Sequence, residues 1–310
     1  MNKKKVPIIV GPTAVGKTRL SLGIAEKIGA EIISADSRQI YRFMDIGTAK
    51  PSLAERQLIP HHFIDIRNPD EEYSAGEFGK EARRVIADLQ SQSKIPIVVG
   101  GAGFYIRALV DGLSSPKIGN PEIKKKLKAR LRTEGLANLR MELERIDPAA
   151  AVAIHPKDWH RTLRALEVYE ITHKPFSSFK DQPPVPPDFE PDFIGLTCER
   201  QRLYRMIEQR VDQMLQLGLV DEVRQLQSRG YDLSLNALQT VGYQEVFYYL
   251  NQQISYSEMV DLIKKHTRHY AKRQLTWFKA DPRIAWYKGA DLSKIELLIQ
   301  SIVEDLKNLT

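Results

Sequence analysis

Cysteine occurs once in this chain, at Cys198. A lone thiol excludes an internal disulfide framework and any zinc site built from several cysteines, and it suits a reducing compartment. Long apolar runs are missing as well. The basic start, Met1 to Lys5, is followed only by Val6 to Val10 before Gly11, too short for the apolar core of a secretory signal. No later stretch could span a bilayer. These absences lead us to expect a soluble, cytoplasmic protein with no membrane association. No internal repeat is visible. With 27% charged and 42% hydrophobic residues, a chain of 310 residues can bury a large core and hold two domains. A monomer is the default expectation.

Acids are missing from one stretch. Residues 264–279 hold Lys264, Lys265, Arg268, Lys272, Arg273 and Lys279 and no Asp or Glu, so this segment supplies +6 of the net charge of +7. Arg268 and Lys272 are four apart, as are His269 and Arg273, and a helix here carries a basic stripe. Tyr270, Trp277 and Phe278 lie among these charges. The pattern suits phosphate contacts with base stacking; it equally suits a solvated basic helix whose aromatics pack on the core.

Residues 11–18 read Gly11-Pro12-Thr13-Ala14-Val15-Gly16-Lys17-Thr18, the G-x-x-x-x-G-K-[ST] pattern. Val6, Ile8, Ile9 and Val10 predict a strand before it, and Leu20, Ile24 and Ile28 predict one face of a helix after it. That order points a row of backbone N–H groups at an anion. Lys17 adds a mobile charge for the outer phosphates, and the Thr18 hydroxyl is placed to ligate Mg²⁺. The loop therefore predicts a diphosphate or triphosphate ligand with magnesium, ATP among the possibilities, without saying which molecule carries the phosphates.

Strand and helix patterns then alternate. Glu31 to Asp36 predicts a second strand ending in an acid, and His62 to Ile66 a third. Phe78, Ala82, Val85, Ile86 and Leu89 predict a helix. Ile95 to Val99 is a continuous apolar run of the kind buried in parallel sheets, closed by Gly100-Gly101. Alternation of this kind implies a doubly covered parallel sheet with ligands at the carboxyl ends of its strands. Gly11, Asp36 and Gly100 fall at such ends and are expected to converge.

Strand signals then stop between residues 114 and 180. Asn120-Pro121-Glu122 is a strong helix start, with Ile123, Leu127 and Leu131 at helical spacing up to Gly135. Leu139, Leu143 and Ile146 predict a second helix, Asp147-Pro148 opens another, and Asp158 to Thr172 a longer one. Pro183 to Pro187 reads as a stiff connector, and Phe193 to Thr197 as a strand returning to the sheet. Helices follow, one with Leu203, Ile207, Val211 and Met214 on a face, and a late strand at Arg283 to Tyr287. The expected architecture is α/β, a P-loop NTPase-like parallel sheet sandwiched by helices with an inserted all-helical domain: 1–113 core, 114–191 insertion, 192–310 core again.

An NTP hydrolase usually places an acid at the end of a second apolar strand. Val98-Val99 ends in glycines, so Asp36 is the carboxylate left to serve. It could hold the metal's waters, accept a proton from a nucleophile, or merely cap its turn.

Asp36-Ser37-Arg38-Gln39-Ile40-Tyr41, continuing through Met44-Asp45-Ile46-Gly47-Thr48-Ala49-Lys50-Pro51, resembles the signature of the tRNA dimethylallyltransferases, also called tRNA isopentenyltransferases. Further matches follow in order: His61-His62 with Ile64-Asp65-Ile66, Tyr73-Ser74-Ala75-Gly76, Gly100-Gly101 with Tyr105, Arg161 with Arg164-Ala165-Leu166-Glu167, Val241-Gly242-Tyr243, and Ala271-Lys272-Arg273-Gln274 with Thr276-Trp277. They extend from residue 6 to about 279.

The resemblance implies transfer of a dimethylallyl group from its diphosphate to the exocyclic amine of adenosine 37 in tRNA. The loop Gly11 to Thr18 then holds the diphosphate of the prenyl donor, with Lys17, Thr18 and Mg²⁺ stabilising the leaving group. Asp36 matches the family's general base, and Arg210 a family arginine near the diphosphate. By the same carry-over, Asp36, Ser37, Arg38 and Gln39 grip an extruded adenine. His160, Arg161, Thr162, Leu163 and Arg164 touch the anticodon loop, and Lys124 the anticodon stem at a position where the family often has Arg. Lys cannot fork onto a phosphate as Arg does. Where the family usually reads Gly-Gly-Thr, this chain has Gly101-Ala102-Gly103, so Ala102, at a tRNA-contact position, lacks a hydroxyl worth about 1 kcal/mol. Two other classes stay open on the residues alone: a P-loop kinase acting on a nucleoside or RNA end, and a non-catalytic RNA-binding module.

Overall fold

A computed structural model describes residues 3–113, 119–179 and 185–288, with positions 297, 300 and 304 beyond them. Pro183 and Pro184 of the expected connector lie outside the described residues. The chain divides into two compact units, residues 1–110 with 187–310, and residues 111–186.

The first unit is built on a sheet of six strands: β1 (Lys5–Val10), β2 (Glu31–Ala35), β3 (His61–His62), β4 (Pro96–Gly100), β5 (Glu190–Thr197) and β6 (Ala285–Lys288). Their order is β3-β2-β4-β1-β5-β6, and every neighbouring pair is parallel. The fold is thus an α/β parallel sheet covered by helices. β1, β2 and β4 are buried at nearly every position because helices cover both faces, which explains their unbroken apolar runs. Against one face pack Leu20 and Ile24 of α1 (Lys17–Ile28), Leu203 and Ile207 of α8 (Arg200–Gln216) and Ala271 of α11 (Tyr256–Lys279). Phe78, Ala82, Ile86 and Leu89 form the buried side of α3 (Ala75–Ser91). Phe78 stacks at 4.6 Å on Tyr105 of α4 (Gly103–Val110).

The third strand is shorter than its apolar pattern suggests. It ends at His62 rather than continuing to Ile66, because Phe63 and Asp65 take left-handed backbone (φ 64° and 56°), which no strand accommodates. A short helix, α2 (Leu53–Leu58), precedes it, started by a Ser52–Glu55 capping box. The returning strand begins at Glu190, three residues before the expected Phe193.

The second unit is all-helical among the described residues. It contains α5 (Pro121–Ile146), α6 (Pro148–Ala153), α7 (Trp159–Thr172) and a 3₁₀ turn at Phe176–Phe179. Asn120 caps α5 through bonds from the Glu122 and Ile123 amides, with Pro121 at the first helical position. Gly135 (φ 80°) breaks this run where the sequence suggested two helices. The unit has its own core, formed by Leu127, Leu139, Leu143, Ala150, Leu163 and Leu166.

Elsewhere in the first unit, α9 (Leu219–Ser228) and α10 (Tyr243–Leu250) lie between α8 and α11 along the chain.

Candidate active site

Strand register builds the site. Val10 pairs with Gly100, and Ala35 pairs with the same Gly100, so the residues after β1, β2 and β4 emerge side by side. The approach at Gly100 is close: a Cβ there would lie 2.0 Å from the Ala35 carbonyl oxygen. Gly11, Asp36 and Gly101 therefore lead away from one strip of the sheet edge.

Between Val10 and α1 the phosphate loop turns through Gly11 (φ 145°), Ala14 (φ 65°) and Gly16 (φ 100°). Gly16 precedes α1 without any side-chain cap, and the helix has no acid in its first turn. Its leading amides are thus left for an anion. Val15 is buried in the core beneath, which pins the loop. Gly11 and Pro12 are buried, while Thr13, Ala14, Gly16, Lys17 and Thr18 are half-buried.

The Lys17 ammonium folds onto its own loop, donating to the carbonyls of Gly11 (2.9 Å) and Pro12 (2.8 Å). Burial, with the Arg210 charge beside it, pulls this ammonium from 10.5 down to about 7, and Asp36 opposes the fall. Arg210, from α8, donates Nη1 to the Thr13 hydroxyl at 3.2 Å. Burial depresses Arg210 as well, and again Asp36 is the opposing charge. Three charged groups from three elements thus feel one another.

Asp36 both caps its turn and keeps an oxygen in reserve. Oδ1 accepts the backbone N–H groups of Arg38 (2.8 Å) and Gln39 (3.3 Å). Oδ2 has no hydrogen-bond donor among the described residues. Asp36, Ser37, Arg38 and Gln39 are all half-buried in this turn. Arg38 donates to the Asn236 carbonyl (2.8 Å). The Gln39 amide donates to the carbonyls of Thr48 and Ala49 and accepts from Ser34 Oγ (3.1 Å). Ala102 is half-buried just ahead of α4, its N–H directed to the Ala35 carbonyl at 3.3 Å.

Thr18 is the second residue of α1, and its hydroxyl makes no hydrogen bond among the described residues. Those residues also contain no group of three or more His, Cys, Asp or Glu side chains able to cage a metal. One hydroxyl donor beside a phosphate-binding loop fits Mg²⁺, which keeps waters and shares substrate phosphates in place of an all-protein cage.

Gln274 has a role that its sequence context does not announce. It is buried on α11, where its Oε1 accepts the Thr13 N–H at 2.8 Å and its Nε2 donates to the Gly101 carbonyl at 3.0 Å. Its only signal was membership of the run Ala271 to Gln274. The basic stripe is partly neutralised: Lys264 pairs with Asp212 (2.6 Å) and Arg268 with Glu208 (2.8 Å), both on α8. Trp277 stays exposed, edge-on to Phe104 at 6.4 Å.

In the second unit, His160 and Arg161 are exposed in the first turn of α7, with the His160 ring stacked on Trp159. Arg164 is half-buried and paired with Glu167 at 2.8 Å. Thr162 and Leu163 point inward: the Thr162 hydroxyl bonds the Asp158 carbonyl at 2.8 Å, and Leu163 belongs to the core. Helical periodicity turns these two side chains away from the face that carries His160, Arg161 and Arg164. Lys124 is half-buried in the first turns of α5.

A family model described as IPP transferase matches residues 39–281. The chain belongs to the IPP transferase family. As a member it is an enzyme, a prenyltransferase. A tRNA dimethylallyltransferase of Alkaliphilus oremlandii is 45% identical over 306 residues, covering 98% of both chains. One from Thermotoga petrophila is 48% identical over 284 residues, 91% of this chain and 92% of its own. Among solved structures, a tRNA isopentenylpyrophosphate transferase of Staphylococcus epidermidis is 37% identical with a TM-score of 0.72, covering 99% of this chain and all of its own. A eukaryotic dimethylallyltransferase, captured acting on tRNA, is 30% identical with a TM-score of 0.82, covering 98% of this chain and 79% of its own. The IPP transferase match begins beyond the phosphate loop, and the relatives from Alkaliphilus oremlandii and Staphylococcus epidermidis, matched over 98% and 99% of this chain, extend the likeness across it. No helix among the described residues is long and apolar enough to cross a membrane.

Proposed function

We propose that this chain transfers a dimethylallyl group from dimethylallyl diphosphate to the exocyclic amine of adenosine 37 in tRNA, releasing diphosphate, and that it works in the cytoplasm. The observation that carries the reading is the shared register of Val10, Gly100 and Ala35, which brings an anion-binding loop and a carboxylate with one unengaged oxygen to the same sheet edge.

The donor's diphosphate lies on the amides of Gly11 to Thr18. The Lys17 ammonium leaves the Gly11 and Pro12 carbonyls for the phosphate oxygens, and Arg210 adds a second positive charge. Thr18 would hold Mg²⁺, which supplies further charge neutralisation of the leaving diphosphate. The allylic C–O bond breaks as the N6–C bond forms. Adenine's amine is a weak nucleophile and must shed a proton, which passes to Asp36 Oδ2. Stabilising charge where it develops on the leaving group is the main contribution of the loop.

Reaching that amine requires the base to leave its stack. Asp36 to Gln39, with Ala102, grip the extruded adenine. On the helical unit, His160, Arg161 and Arg164 meet the anticodon loop, Thr162 and Leu163 anchor their helix, and Lys124 supplies a point charge to the stem.

Incubation with tRNA, Mg²⁺ and labelled dimethylallyl diphosphate, and in parallel with γ-labelled ATP, tests this reading. Label from the prenyl donor in tRNA supports it. Phosphate label in tRNA would make the chain a kinase, and tRNA binding without either label a binding module.

A further inference from the structure

Two stretches of the family signature, Met44 to Pro51 and Val241-Gly242-Tyr243, have no part in the chemistry above. They meet on one carboxylate. Glu222 of α9 accepts the backbone N–H of Asp45 (2.9 Å) and Ile46 (2.7 Å) on Oε2. Its Oε1 accepts the N–H of Gly47 (3.1 Å) and the Tyr243 hydroxyl (2.6 Å). Three consecutive amides around one carboxylate make an anion nest whose anion is a side chain of the same molecule. The fit is close, since a Cβ on Gly47 would lie 2.4 Å from the Tyr243 ring. Tyr243 is fully buried, and burial with the Glu222 charge raises its hydroxyl well above 10.0, so it remains a donor.

What this nest holds leads back to the turn that carries Asp36. Beyond Gly47 the chain offers the Thr48 and Ala49 carbonyls to the Gln39 amide, and Gln39 N–H donates to Asp36 Oδ1. From the same side, the Asn236 carbonyl in the segment between α9 and α10 receives Arg38. We propose that Glu222 is a positioning residue for the target nucleobase: it latches residues 45–47, and through the Thr48 and Ala49 carbonyls it sets Gln39 and the carboxylate turn. It makes no hydrogen bond to the phosphate loop, so its effect falls on the nucleobase and on Asp36 before it reaches the prenyl donor. The inference rests on the function proposed above.

The test is a steady-state series of wild type, Glu222→Asp and Glu222→Gln, with donor binding measured by calorimetry and amide hydrogen exchange followed at residues 45–47. Gln turns an N–H₂ toward backbone donors and loses the charge. We expect kcat/KM for tRNA to fall by about tenfold or more for Glu222→Gln, through kcat as well as KM because the turn carrying Asp36 shifts, and by less for Glu222→Asp, with donor affinity changed far less and exchange faster at 45–47. Tyr243→Phe, which removes a single donor and keeps the nest, gives a smaller fall. Proportional losses toward donor and tRNA, or a Glu222→Gln enzyme kinetically identical to an active wild type, overturn the latch alone. A wild type that transfers no prenyl group to tRNA overturns the function and the latch with it.

Discussion

Thr13 and Gln274 lie 261 residues apart in the chain, yet the Thr13 N–H donates to Gln274 Oε1 at 2.8 Å. The other end of the same amide reaches the Gly101 carbonyl. One buried side chain on α11 thus ties the phosphate loop to the end of β4. Its two bonds also fix the orientation of the amide, because Thr13 offers a donor and Gly101 an acceptor. Gln274→Ala leaves both groups without their partner, which costs about 1–3 kcal/mol apiece when the group stays buried. We expect a lower midpoint of thermal unfolding and weaker donor binding. Gln274→Glu sets a carboxylate against the Gly101 carbonyl and weakens the donor further, which calorimetric titration will show.

Lys17 makes the phosphate loop pH-dependent. Its ammonium is held near 7, so below that pH it is charged in both the folded and the unfolded chain. As pH rises from about 7 toward 10.5, the folded chain gives up this proton first, the unfolded chain binds more protons, and this group's contribution to stability rises. Lys17→Met should therefore be more stable than wild type near pH 6, with the gap closing on the alkaline side. A diphosphate bound as proposed restores the charge. Titrations at pH 8 in buffers of different ionisation enthalpy should show proton uptake in wild type and none in Lys17→Met.

Asp36→Asn preserves the oxygen that caps the turn and removes the proposed base. Turnover should fall by about 10²–10⁴-fold, the usual worth of a positioned general base, while tRNA affinity stays within a few-fold. Single-turnover rates and filter binding separate the two. Equal losses in both would make Asp36 a binding residue.

The first turns of α7 divide sharply. Arg161 is exposed, so Arg161→Ala should weaken tRNA binding and reduce its salt dependence with little change in unfolding. Leu163 is core, so Leu163→Ala should cost about 2–5 kcal/mol of stability, measured by denaturant unfolding. Arg161→Ala without effect on tRNA would remove this face of α7 from the RNA surface.

What the sequence made legible follows from how local each signal is. The phosphate loop, the strand before it and the acid ending β2 are each contained within a few residues, and the parallel sheet follows from alternation alone. Contacts across long separations left no local mark: Gln274 and Glu222 look like ordinary polar residues on amphipathic helices. The shortening of β3 at Phe63 and Asp65 is nearly silent, because Phe does not announce left-handed backbone and a single Asp does so only weakly. The inward aim of Thr162 and Leu163 was visible in principle from helical periodicity, but the match to a contiguous family run masked it.

Transfer of the prenyl label itself decides whether the phosphate loop and Asp36 serve one reaction. The labelled donor is incubated with the protein, Mg²⁺ and tRNA, and the RNA is then digested to nucleosides. Wild type should place label on the exocyclic nitrogen of adenosine 37, and Asp36→Asn almost none. Absence of label from wild-type reactions, or its undiminished transfer by Asp36→Asn, would contradict that shared role.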